Sequence, residues 1–400
     1  MSRYSKTTSI QSHTRRAGRT KAKARKNDPR DYYDYNLLAS VILLTCFGLV
    51  MLYSTSAYEA FVEYESDMYF FGKQAIIGAA SILIILVGSQ FDYHFYAKFS
   101  GLLYVASLAL LVITKFMGRT VNGATRWLYI GPISFQPAEL AKLAIILFLP
   151  VIMCRIDESR LRGTRAFLMM FGIGGVSALL TYRFTDNLST AIIIIGITAA
   201  LVFIVFQDTR QILTIYVSGL ILVLFFAVVI LPRVMASSDS FRLRRILVWL
   251  DPEKYANDGG YQVMQGLYAI GSGGWFGKGL GNSTQKLGIL PEAQNDMIFS
   301  IVCEELGVFG ATIVVLLFVF LLYRLFFIAQ NAPDLLGSLI ASGIFVHIAL
   351  QVVLNIAVCI NMIPTTGITL PFVSYGGTSI LFLMAEITLA LSISKKIEFH

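Results

Sequence analysis

Charged residues are scarce in this sequence. Only 14% of its 400 residues are Asp, Glu, Lys or Arg, whereas an average soluble domain has about 25%. Cysteine and histidine number four each, and neither shows the spacing of a zinc or haem site. The composition therefore argues against a soluble domain and against a zinc or haem protein, and the cysteines are expected to be inert thiols.

A nucleotide-binding loop is also missing. The stretch GSGGWFGKGLG (Gly271–Gly281) resembles a phosphate loop, but Ser272 stands where the first glycine belongs and Gly279 stands where Ser or Thr must follow the lysine. No sequence repeat marks an inverted-repeat transporter either.

Apolar residues make up 56% of the chain and cluster into long runs. Ten of these runs are long enough, or nearly so, to cross about 30 Å of hydrocarbon. They lie near residues 37–57, 70–89, 100–117, 138–154, 166–182, 188–206, 211–231, 297–323, 335–360 and 371–393. The sequence predicts an all-α integral membrane protein with about ten transmembrane helices.

Positive charge is concentrated at the N-terminus. Residues 1–35 carry ten Lys or Arg and three Asp, which accounts for +7 of the net charge of +8, and they are predicted to be a disordered tail on anionic lipid rather than a nucleic-acid-binding arm. With this tail inside, 19 of the 32 Lys and Arg residues fall on inner segments. Both termini are therefore expected in the cytoplasm, and residues 36–397 form the membrane domain.

Two outer connections differ from the rest. The connection from Lys115 to Pro137 carries Arg119 and Arg126, and the long loop of residues 232–296 contains the basic amphipathic stretch FRLRRILVWL (Phe241–Leu250) followed by ten glycines. Amphipathic stretches of this kind commonly lie in the membrane interface. Glycines allow close packing or a bend back toward a site.

Asp296 is the strongest single candidate for chemistry. It lies in PEAQND, where the polar, glycine-rich loop ends and an apolar helix starts. Ionisable groups at the membrane are costly and tend to be functional, and a carboxylate here suits a general base. The alternative is that Asn295 or Asp296 merely caps the following helix.

A second group of candidates lies around the fourth apolar run. Glu139 and Lys142 are spaced i, i+3, close in sequence to Gln136 and Arg126. This spacing fits an intrahelical ion pair, and in a membrane the pair is expected to face a polar cavity. Arg126 and Lys142 would suit a diphosphate, as a bidentate fork and a point charge.

Other polar residues have simpler explanations. Because Glu304 and Glu305 point about 100° apart on a helix, they are not expected to face the same cavity; one is expected to pair with a basic residue and the other to snorkel or meet a polar wall. Asp186 and Asn187 are explained by capping of the next helix. The stretch NMIPTTGITLPFVSYGGTS is predicted to be irregular backbone beside the outer cavity, since lipid does not tolerate such backbone.

Three motifs together resemble the SEDS family (shape, elongation, division and sporulation) of bacterial cell-wall glycosyltransferases. They are NGATRWLYIGPISFQPAELAK, GLGNSTQKLGILPEAQNDMIFSIVCEELG and IPTTGITLPFVSYGGTS, and the similarity covers nearly all of Asp34 to Lys396. The GLGNSTQKL run, the PEAQND form and the opening DYNLLASVILLTCFGLVMLYSTSA are more similar to the division members than to the elongation members.

The resemblance implies polymerisation of the lipid-linked disaccharide lipid II into glycan strands, with release of polyprenyl diphosphate, in the bacterial plasma membrane at the septum. It assigns the catalytic carboxylate to Asp296, as general base or as ligand of a divalent cation such as Mg²⁺ or Mn²⁺. It also implies a class B penicillin-binding protein and other divisome membrane proteins as partners.

The substrate-binding candidates are Arg126, Gln136, Glu139, Lys142, Lys286 and Glu305. One departure is Asn187 in DNLST, where many members carry an acidic residue, with Asp186 one position earlier.

Two other functions remain open from the sequence. A lipid II flippase would use the same cations, but it should also need polar groups along the inner half of its path. A non-enzymatic division scaffold would not need the acidic residue at the outer surface.

Overall fold

The computed structural model describes residues 32–121, 124–130, 133–156, 164–206, 214, 217, 241–256 and 259–398. Twelve helices and three strands lie in these ranges. In chain order they are α1 (Tyr35–Tyr64), α2 (Tyr69–Gly88), α3 (Tyr93–Lys98), α4 (Ser100–Met117), β1 (Arg119–Val121), β2 (Ala124–Ile130), β3 (Ile133–Phe135), α5 (Pro137–Arg155), α6 (Thr164–Thr185), α7 (Leu188–Val205), α8 (Phe241–Leu250), α9 (Gly260–Gly273), α10 (Ile298–Asn331), α11 (Leu335–Cys359) and α12 (Ser379–Ser394).

The predicted helical membrane fold is confirmed. Nine of the ten predicted spans correspond to helices, and the seventh, residues 211–231, lies outside the described residues except at positions 214 and 217. Within the described ranges, eight helices are long and apolar enough to cross a membrane, and α12 is a shorter apolar helix. Because Pro371, Gly376 and Gly377 interrupt the backbone, α12 begins eight residues later than the run starting at 371 predicts.

The connection between α4 and α5 folds as a small sheet that the sequence does not predict. Its order is β1-β2-β3 and both pairings are antiparallel, with Leu128 opposite Phe135. Three-residue strands such as β1 and β3 are too short to show an alternating pattern. β2, which carries Arg126, contacts α5.

α5 is the most deeply packed of the long helices. In its most apolar window, 78% of the residues are buried inside the protein, compared with 22% for α2. α5 contacts α4, α7 and α11, so most of its surface meets protein rather than lipid. Polar side chains on α5 can therefore find protein partners at membrane depth.

α10 is interrupted at Gly307, whose φ of 67° and ψ of −169° are not helical. The long loop after α9 satisfies the backbone groups that the break frees. Lys278 N and Gly279 N donate to the carbonyls of Glu304 and Glu305, and Val308 N and Phe309 N donate to those of Gly274 and Trp275, at 2.9–3.1 Å. Lipid cannot satisfy unpaired backbone N–H and C=O groups. The loop therefore bends back against α10 at the break around Gly307. We call residues 274–287 the re-entrant segment.

Residues 361–378, which link α11 to α12, form a second irregular segment that we call the α11–α12 linker. Its carbonyl groups accept hydrogen bonds from surrounding helices, as expected for non-helical backbone inside a membrane protein. The donors are Trp249 to Asn361 (3.0 Å), Arg245 to Thr365 (3.2 Å), Ser189 to Thr366 (2.7 Å), Asn355 to Ile368 (2.8 Å) and Gln351 to Thr369 (3.1 Å). The linker is thus held between α7, α8 and α11.

Candidate active site

Asp296 is buried in the turn before α10, with 8% of its surface exposed. Its carboxylate accepts a hydrogen bond from Gln262 Nε2 at 3.4 Å, and its backbone carbonyl accepts from Asn355 Nδ2 at 2.8 Å. The N-cap of α10 is Met297, and no side chain caps it. The alternative that Asn295 or Asp296 caps this helix is therefore wrong. The burial of the Asp296 carboxylate needs another explanation.

Arg126 faces Asp296 across the α11–α12 linker. Gly367 lies between them: a Cβ atom added to this glycine would be 3.9 Å from Arg126 Nη1 and 3.9 Å from Asp296 Oδ2. Its φ of 69° is also one that side chains rarely allow. The glycine therefore lets a guanidinium and a carboxylate from distant parts of the chain approach the same point.

The Arg126 side chain is anchored at one end only. Its Nη2 donates to the Asp186 carbonyl at 3.2 Å. Its Nε is buried, and no acceptor among the described residues reaches it. A buried donor without an acceptor is costly, so this atom is suited to an anionic ligand.

Arg245 on α8 is a site residue that the sequence reading missed. The sequence predicts only that it lies on an amphipathic stretch in the membrane interface, yet its Nη1 donates to the Thr365 carbonyl at 3.2 Å. Its charge acts on both Asp296 and Arg126. The only signal in the sequence was basic residues on an outer segment, where positive charge is not expected.

The surroundings of Asp296 raise its pKa from the ordinary carboxyl range to about 7. Burial is the main cause, and the nearby Glu292 carboxylate adds to it, whereas its own backbone amide, Arg245 and Arg126 oppose it. Burial and Arg245 also lower the pKa of Arg126, which stays charged because guanidinium is so strong a base. A carboxyl with a pKa near neutrality is well matched to accept a proton.

Glu139 and Lys142 form the intrahelical pair that their spacing predicts. Lys142 Nζ lies 2.9 Å from Glu139 Oε1 and donates to Gln351 Oε1 at 3.3 Å, while Glu139 Oε2 accepts from Ser379 Oγ at 3.1 Å. Only 2% of the Lys142 side chain is exposed. The pair therefore lies inside the protein beneath the α11–α12 linker, and contact of Lys142 with a diphosphate stays a prediction. Gln136 is half-buried at the start of α5.

Glu304 and Glu305 are both fully buried, and each has its own lysine. Lys278 Nζ lies 2.6 Å from Glu304, and Lys286 Nζ lies 2.8 Å from Glu305. The expectation that only one of the two glutamates pairs with a base is wrong, because the re-entrant segment wraps around this turn of α10 and reaches both. Ser283 of that segment contacts both carboxylates.

Capping explains Asn187, as the sequence predicts. Asn187 Oδ1 accepts from Thr190 N at 3.1 Å at the start of α7. Asp186 has a left-handed backbone (φ 50°) and turns its carbonyl toward Arg126. Asp186 thus helps to hold Arg126 through its backbone carbonyl.

Gln351 and Asn355 are two further residues that the sequence reading missed. They lie one turn apart on α11 and are buried to 2% and 0% exposure. They bind consecutive carbonyls of the α11–α12 linker, and Asn355 also binds the Asp296 carbonyl. Two amides four residues apart in an otherwise apolar run were the signal that could have identified them.

Comparisons with known proteins agree on one family. The FtsW/RodA/SpoVE family model, described as "Cell cycle protein", matches residues 34–398. Stage V sporulation protein E of Bacillus subtilis strain 168 is 36% identical over 90% of this chain and 97% of its own length. A "Probable peptidoglycan glycosyltransferase FtsW" of the same strain is 35% identical over 92% of each chain.

Two solved structures share the fold. One comes from work on the structural coordination of polymerisation and crosslinking by a peptidoglycan synthase complex; it has a TM-score of 0.76 and 26% identity, and the match covers 91% of this chain and 98% of that one. The other is the rod shape determining protein RodA of Thermus thermophilus, with a TM-score of 0.64, 25% identity and coverage of 92% and 98%.

Proposed function

Because this chain belongs to the FtsW/RodA/SpoVE family of cell cycle proteins, we propose that it polymerises lipid II into glycan strands for the septal cell wall. It is an integral membrane peptidoglycan glycosyltransferase. The observation that carries the mechanism is the buried Asp296 carboxyl, with a pKa of about 7, facing Arg126 across Gly367.

Asp296 acts as the general base. The acceptor sugar hydroxyl forms a bond to the anomeric carbon of the donor while the bond from that carbon to the diphosphate oxygen breaks. Asp296 takes the hydroxyl proton, and the electron pair of the broken bond leaves on the diphosphate. One carboxylate is sufficient for a single displacement that inverts the anomeric centre, in contrast to the paired carboxylates of glycosidases.

Arg126 and Arg245 stabilise the diphosphate. The Nε of Arg126 supplies a donor that the described part of the chain leaves unused, and a planar guanidinium fits two phosphate oxygens at once. Lys142, Glu139 and Gln136 support this anion site from α5. Lys286 and Glu305 bind each other and Ser54, so they support the substrate site indirectly, by holding the re-entrant segment against α1 and α10.

A divalent cation fits this site only together with the substrate. Among the residues that the structure describes, no group of three or more His, Cys, Asp or Glu side chains is placed to hold a metal ion. Mg²⁺ is usually held by one or two carboxylates plus substrate phosphates, and Asp296 is the carboxylate that would hold it beside the diphosphate. The ion would then neutralise the leaving group.

We place the active site on the outer face of the plasma membrane, with both termini in the cytoplasm. The Lys and Arg distribution supports this orientation. In a cysteine-free background, a membrane-impermeant thiol reagent applied to intact cells is expected to label Asn282→Cys but not Arg155→Cys, which should react only after lysis. The reverse pattern would overturn the orientation.

The function is tested with the purified protein and fluorescent lipid II. We expect glycan strands, with more product when a class B penicillin-binding protein is present, since the related synthase complex couples polymerisation to crosslinking. Movement of lipid II across proteoliposomes without strand growth would instead identify a flippase. Partner binding without either activity would identify a scaffold.

A further inference from the structure

A groove of about 590 Å³ runs along the half of α1 nearest the active site. Val50, Tyr53, Ser54, Ala57 and Tyr58 line it, and their spacing places them on one face of α1. The start of α2 and residues 280–287 of the re-entrant segment form the other walls. The volume is in the range of small-molecule sites, and the lining is almost wholly apolar.

The floor of this groove lies beside the apolar, membrane-spanning part of α10. Ser54 Oγ donates to both oxygens of Glu305 at 2.8 and 2.9 Å, and Lys286 Nζ donates to Ser54 Oγ at 2.8 Å. Glu305 is seven residues beyond the start of α10, which corresponds to a depth of about 10 Å. An open, apolar groove at that depth faces hydrocarbon chains rather than water.

The upper end of the groove is joined to the active site. Tyr58 lies at this end, and the next residue, Glu59, accepts a hydrogen bond from Gln294 Nε2 at 2.7 Å. Gln294 precedes Asp296 by two residues, and its carbonyl accepts from Tyr375 N in the α11–α12 linker at 2.9 Å. A chain lying in the groove would thus emerge beside the turn that carries Asp296.

We infer that this groove holds the polyprenyl chain of a lipid-linked substrate while its diphosphate reaches Arg126 and Asp296. The inference rests on the proposed function, which requires a reactant whose chain stays in the bilayer while its sugar reaches the site. The groove meets that requirement because it is apolar, lies at hydrocarbon depth and ends beside Asp296. An ordinary phospholipid chain could also lie in an apolar groove at this depth. A phospholipid, however, has no sugar diphosphate to bring to Asp296.

Ala57→Trp tests the groove by filling it. Ala80→Trp is the matched control, because Ala80 is exposed on α2 and does not line the groove. With lipid II carrying a full-length chain, we expect Ala57→Trp to raise KM about tenfold with little change in kcat, since the loss of about two buried methylene groups has an effect of that size. With a lipid II analogue whose chain is a single isoprene unit, too short to extend past Tyr58 into the groove, the KM difference between Ala57→Trp and the control should disappear, and the retained kcat also shows that both variants are folded.

A binding measurement separates this inference from the proposed function. A long-chain polyprenyl phosphate carrying a diazirine in its chain is expected to crosslink to peptides containing residues 50–58. Ala57→Trp should reduce this labelling and Ala80→Trp should not, whether or not polymerisation occurs. Crosslinks elsewhere, equal labelling of the two variants, or equal competition by ordinary phospholipid would overturn the inference.

Discussion

Asp296→Asn is expected to abolish glycan polymerisation and, at alkaline pH, to make the protein more stable. The amide cannot take a proton from the acceptor hydroxyl, and removal of a general base typically costs about 10² to 10⁴ in rate. Asparagine has nearly the same shape as aspartate, so the contact with Gln262 at 3.4 Å has a counterpart in the variant. The loss of activity should therefore occur without loss of fold.

The gain in stability follows from the raised pKa of Asp296. Because the folded protein holds this proton up to about pH 7, whereas an unfolded carboxyl releases it near pH 4, the wild type loses stability as the pH rises from about 4 to about 7. Asparagine carries no charge and avoids that loss, which for a difference of about three pKa units is at most about 4 kcal/mol above pH 7.

Polymerisation and melting temperature are measured on one preparation at acidic and alkaline pH. Partner binding serves as the control for surface integrity. An Asp296→Asn variant that polymerises at a substantial rate, or that melts below the wild type at alkaline pH, would contradict the assignment. Catalysis would then be sought at Glu304 or Glu305.

Lys142→Met is expected to destabilise the protein strongly. The ammonium lies 2.9 Å from Glu139 with 2% of the lysine side chain exposed, so its removal leaves a buried carboxylate without its counter-charge. Breaking a buried pair from one side costs about 3–5 kcal/mol. Lys278→Met is a matched comparison, because Lys278 is 32% exposed and Glu304 keeps other donors; its cost should be smaller.

The double variant Glu139→Gln/Lys142→Met separates stability from function. Removing both charges should restore most of the melting temperature. Polymerisation should stay at least about tenfold below the wild type if Lys142 helps to stabilise the diphosphate. Normal polymerisation by the double variant would show that Lys142 is only half of an ion pair.

Hydrophobic pattern was enough to predict the membrane helices, because a span requires a long, predominantly apolar run with few charges. It could not predict the break at Gly307. The glycine lies inside a predicted span, three residues after Glu304, and the cause of the break is a segment about 30 residues earlier that supplies hydrogen bonds to α10. The β-sheet between α4 and α5 could not be predicted from the sequence either, because two of its strands are too short to show an alternating pattern.

The active site was predicted in part. Asp296, Arg126, Glu139 and Lys142 were identified from the cost of placing ionisable groups at a membrane, and the structure brings Asp296 and Arg126 together at Gly367. Arg245, Gln351 and Asn355 were missed because their role depends on the α11–α12 linker, whose path no local pattern shows. The burial that raises the pKa of Asp296 is likewise a property of the assembled helices.

The central claim is that the Asp296 carboxylate takes the acceptor proton during strand growth. The most direct test is the initial rate of glycan polymerisation by the purified wild-type protein, measured from about pH 5 to about pH 9 at subsaturating lipid II, where the profile reports the essential base of the free enzyme. The rate should rise with pH and reach half of its plateau near pH 7, the pKa of Asp296. A rate that is independent of pH through this range, or the absence of glycan strands at every pH, would contradict the claim.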